Sequence, residues 1–106
     1  MISRSWYDAE RVVHIDTSDV RVIEWRLGPG ASTRPRRHTC DFVLVPLTKG
    51  KLRIVRAEGE SSVEITPGAS VLRTAPLEHD VINEGNASLA FIEIELKDTV
   101  RRLISG

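Results

Sequence analysis

Turn signals at short, regular intervals constrain this chain more than any other feature. Gly28-Pro29-Gly30, Thr48-Lys49-Gly50, Glu58-Gly59-Glu60, Thr66-Pro67-Gly68 and Glu84-Gly85-Asn86 interrupt it one after another. Pro presets one turn dihedral and Gly supplies the positive φ that other residues resist. The segments between them are rich in β-branched residues and too short for independent helices. The pattern predicts strands over 11–16, 19–27, 41–47, 51–57, 62–65, 70–74, 78–83 and 89–96. Strands punctuated every ~8–12 residues indicate an all-β sandwich or barrel. The one helical candidate is 97–104, where Val100, Leu103 and Ile104 sit at i, i+3 and i+4.

A chain of 106 residues is expected to form one domain, 1–106, with one core. Acids and bases balance at fifteen each. That excludes nucleic acid and anionic membrane as main partners, since both select a net basic face. No apolar run approaches the ~20 residues of a membrane helix. The first residues, Met1 to Asp8, lack the apolar stretch of a secretory signal. The single cysteine, Cys40, forms no internal disulfide, and a reducing cytoplasm is the expected compartment.

Two histidine-bearing segments carry the functional signal. One runs from Gly30 through Arg34, Arg36, Arg37, His38, Cys40 and Asp41 to Gly50; the other from Gly68 through Thr74, Pro76 and His79 to Asn83. If the intervening strands fold back, His38 and His79 face one interior, with Arg36, Cys40 and Trp25 as further pocket candidates. Arg36 is either a clamp for an anionic ligand or the partner of Asp41 in a structural ion pair. His14 has no motif around it and reads as structural. Asn83 reads as a strand-end residue that bonds nearby backbone.

These segments resemble the two motifs of the cupin superfamily, small β-barrels of jelly-roll type. The first family motif is a glycine, five residues, a histidine, one residue and a second histidine, then a glutamate and a closing glycine. Gly30, His38 and Gly50 match it; Arg36 stands at the first histidine, and counting back from Gly50 puts Val43 at the glutamate. In the second motif Gly68, His79 and Asn83 match in register, with Thr74 and Pro76 replacing a proline and a glycine. The resemblance covers about 19–97. Val45-Pro46-Leu47 and the run Phe91 to Lys97 look like very small bacterial cupins, one group of which is linked to β-alanine breakdown.

The resemblance implies a divalent transition metal (iron, manganese, nickel or zinc) on His38 and His79, with Asp41 the candidate third ligand. Arginine cannot replace a ligand, having no lone pair to give. On the last strand Phe91, Glu93 and Glu95 share one face, while Ala90, Ile92, Ile94 and Leu96 share the other. The second set is the more core-like, so the glutamates are expected outside, paired with Arg21 or Arg26.

Three functions follow. The first is a metal-dependent enzyme acting on a small organic acid. The second is a metal-free binding protein or sensor for an anionic small molecule. The third is a structural barrel without catalysis. Fold alone does not choose among them. A homodimer is expected, both because small cupins pair sheet to sheet and because 41–47 is apolar on both faces: Phe42 and Leu44 alternate with Val43 and Val45. The N-terminal strand, with Val12, Val13 and Ile15, is a candidate to cross to the second copy.

Overall fold

Each predicted β segment forms a strand in the computed structural model, which describes residues 8–97. The strands are β1 Glu10–Asp16, β2 Val20–Leu27, β3 Arg36–His38, β4 Asp41–Pro46, β5 Gly50–Arg56, β6 Gly59–Ile65, β7 Val71–Arg73, β8 Leu77–Asn83 and β9 Leu89–Leu96. Only β3 is additional to the expected set; its three residues are too few and too polar to show alternation. The helical candidate over 97–104 lies, apart from Lys97, outside the described residues.

Two antiparallel sheets face each other. One has the order β1-β2-β9-β4-β7, the other β3-β8-β5-β6. Their inner faces bury Ile23, Trp25 and Leu27 of β2, Leu89 and Phe91 of β9, Leu52 of β5, Ile65 of β6 and Val81 of β8. Each such side chain contributes about 1.5–3 kcal/mol on leaving water. Asn83 braces the apolar end. Its Nδ2 donates to the carbonyls of Leu27 (3.0 Å) and Ala87 (2.8 Å), and its Oδ1 accepts from the Gly85 amide at 2.9 Å.

The faces of β9 are the reverse of the expectation. Leu89, Phe91 and Glu93 point inward and are buried. Ile92 and Ile94 lie outside, opposite Val45 and Val43 of β4 and Glu24 and Val22 of β2. The reason is register. Trp25 pairs with Phe91 and Ile23 with Glu93, so the inward alternation of β2 forces Glu93 inward too. The outer face of the larger sheet is consequently apolar, with Val22, Val43, Val45, Ile92 and Ile94 only half-buried. Val12, Ile15 and Leu72 extend that face and are 45%, 49% and 58% exposed. β1 pairs with β2 of its own chain. Among the described residues no helix is long and apolar enough to cross a membrane.

Candidate functional site

β3 and β8 set the site. Arg36 lies opposite His79 and His38 opposite Leu77. Residues opposite one another share a face, as do residues two apart, so Arg36, His38 and His79 all point inward. His38 Nε2 lies 3.2 Å from His79 Nε2. The His38 ring stacks on Phe42 with centroids 4.3 Å apart, and His79 meets Phe42 edge-on at 6.4 Å.

Arg36 is engaged by a residue that local pattern placed outside the barrel. Its Nη1 and Nη2 each donate to one oxygen of Glu93, both at 3.0 Å. Trp25 Nε1 donates to Glu93 Oε1 at 2.9 Å, and the guanidinium carbon sits 4.3 Å above the Trp25 ring. The expected alternative partner of Arg36, Asp41, instead accepts the Ala75 amide at 2.8 Å. Among the described residues no group of three or more His, Cys, Asp or Glu side chains is placed to hold a metal ion. Asp41 therefore does not complete a three-ligand set with His38 and His79. Cys40 lies half-buried in the short link between β3 and β4. Val43, counted at the glutamate, is directed to the outer face, and its neighbour Phe42 is the residue that meets His38.

Burial dominates the electrostatics. It lowers the His38 pKa, with Glu93 opposing and Arg36 assisting. His79 is depressed from 6.5 to about 4, first by burial, then by His38 and Arg36. Both rings are neutral near pH 7. Among the described residues His79 Nδ1 is buried with no hydrogen-bond partner. An N–H left unsatisfied there would cost about 1–3 kcal/mol. The favoured tautomer thus leaves Nδ1 bare and puts the proton on Nε2, which donates to His38 Nε2. His38 then carries its own proton on Nδ1.

The chain matches no family model. It is 41% identical over 85 residues to the β-alanine degradation protein BauB of Pseudomonas aeruginosa, covering 80% of this chain and 90% of that protein. A cupin domain from Bordetella pertussis superposes with a TM-score of 0.83 at 41% identity, covering 85% of this chain and 94% of that one. The chain belongs to the cupin superfamily. A cupin from Desulfitobacterium hafniense, 14% identical over 92% of this chain and 84% of its own, shares the fold with a TM-score of 0.69. Within this cupin, Glu93 is the site residue that strand periodicity missed. The only sequence signal for it was an acid in register between Phe91 and a second acid, Glu95.

Proposed function

We propose that this cupin binds a small organic acid without a resident metal and handles its proton at the His38–His79 pair. The observation that carries the reading is the 3.2 Å contact between the two Nε2 atoms, at the polar end of an apolar barrel. Two buried neutral imidazoles offer one donor and one acceptor. Near pH 7 such an acid enters as its carboxylate, and the neutral pair can accept a proton from, or donate one to, another group of the bound ligand. Similarity to a protein of β-alanine degradation supports acids of about that size.

The residues present do not fit a divalent ion. Metal-bound imidazoles pass the N–H of their other nitrogen to an acceptor, and among the described residues none faces His79 Nδ1. The nearby carboxylate, Glu93, is already engaged by Arg36 and Trp25. Arg36 adds a positive charge that opposes a cation. Arg36 commits one N–H of each Nη, and its charge, to Glu93, which leaves it three N–H groups but no unpaired charge for a ligand.

The reading includes a second copy of the chain, packed against the apolar outer face of the five-stranded sheet. Elemental analysis of untagged protein, with thermal shifts in propionate and β-alanine, tests the site. Expected are substoichiometric metal and stabilisation by acid that disappears in His79→Ala. Stoichiometric metal that is lost in the same variant would overturn the reading.

A further inference from the structure

The inner face of the barrel carries more positive charge at its polar end than its own carboxylates neutralise. On β5, Leu52 belongs to the core and Ile54 packs against it. Alternation puts Arg56 on the same inner face. The β5–β8 register runs Leu52 with Asn83 to Val55 with Asp80, so its next step sets Arg56 beside His79. Arg56 is close enough to oppose protonation of that ring. On β7, Arg73 lies opposite Phe42, a fully buried inner-face residue. The Phe42–His79 contact shows that these two rows meet across the barrel.

The charges on these rows do not cancel. Glu93 is held by Arg36, and Glu95 lies 3.6 Å from Arg21. Neither Arg56 nor Arg73 has a carboxylate partner among the described residues; the Arg73 side chain reaches only the Leu72 carbonyl, at 3.4 Å. Arg36 and Arg21 are balanced by Glu93, Glu95 and Asp16, so Arg56 and Arg73 are the arginines of these rows left without a carboxylate among the described residues. Unpaired like charges at the rim of an apolar interior raise the local concentration of anions. A guanidinium fork is also matched to a carboxylate.

We infer that Arg56 and Arg73 are the carboxylate-capturing residues of this pocket, holding the acid group of a few-carbon ligand whose other end meets His38 and His79. The inference rests on the reading that the pocket takes a small organic acid, and it assigns the anion-holding role to these two arginines instead of Arg36. Calorimetric titration of the full chain with propionate, malonate, β-alanine and neutral propionamide tests it. Arg56→Gln and Arg73→Gln are each expected to weaken carboxylate binding about tenfold. The outward-facing Arg53→Gln leaves it unchanged, and propionamide binds more weakly than propionate. If Gln disturbs folding, Arg56→Lys and Arg73→Lys keep the charge but lose the fork, and a loss of about threefold or more is expected. Unchanged binding in the arginine variants, with binding abolished in His79→Ala, overturns the inference and leaves the pocket reading standing. Propionamide binding as tightly as propionate also overturns it. Failure of every acid to bind the unaltered protein overturns both.

Discussion

Glu93 is 1% exposed, and Arg36 and Trp25 supply the hydrogen bonds that make its burial tolerable. An acid buried without such partners would sooner protonate than remain charged. Removing one member of a buried ion pair leaves the other uncompensated, at a cost of about 3–5 kcal/mol. Glu93→Ala is therefore expected to lower urea-unfolding stability by about 3 kcal/mol, the low end because Arg36 is partly exposed. Arg36→Met combined with Glu93→Leu recovers most of that loss. The histidines predict a pH dependence. Their folded-state pKa values lie below the ordinary one, so the unfolded chain binds protons that the folded chain refuses. The stability they contribute is full above pH 6.5 and falls as pH drops, levelling once folded His79 protonates at about 4. For His79 the loss is about 3 kcal/mol. His79→Gln is expected to flatten urea midpoints across that window; midpoints that track the unaltered protein would contradict this.

At the scale of elements, periodicity located strands well and their inner faces unevenly. The inward side of β4 was not visible, because Phe42 and Leu44 alternate with equally apolar Val43 and Val45, and motif counting singled out Val43, which faces outward. β9 misled because its outward residues, Ile92 and Ile94, are more apolar than its inward Glu93. An apolar face is buried by something, but pattern does not say by what. β3 was invisible, since Arg36-Arg37-His38 has no alternation to read. Gly50, matched from sequence as a motif glycine, has a local packing reason. A Cβ built there meets Leu89 Cδ2 at 3.0 Å, whereas one at Gly28 meets nothing within 4 Å. Gly50→Ala is expected to cost about 1 kcal/mol through overpacking. Gly28→Ala leaves the thermal midpoint nearly unchanged.

At the scale of the whole molecule, the two faces of the larger sheet do different work. The inner face builds the core at one end and the polar site at the other. The outer face, with Ile15, Val22, Val43, Val45, Ile92 and Ile94, is the surface proposed to meet a second copy. Val43→Asp with Ile94→Lys places charges on that surface far from the His pair. Light scattering is expected to report a dimer for the unaltered chain and a monomer for this variant. Unchanged mass in the variant would move the interface elsewhere. The all-β architecture and its turns were legible from the chain alone because turn chemistry and alternation are local properties. So were the positions of Arg36, His38 and His79, because motif spacing is local. The partnership of Arg36 with Glu93, across 57 residues, was not. It depends on which face of β9 turns inward, and the β2–β9 register decides that. The proposed joint role of Arg56 and Arg73 likewise depends on the registers of β5 with β8 and of β4 with β7, which exist only in the folded chain.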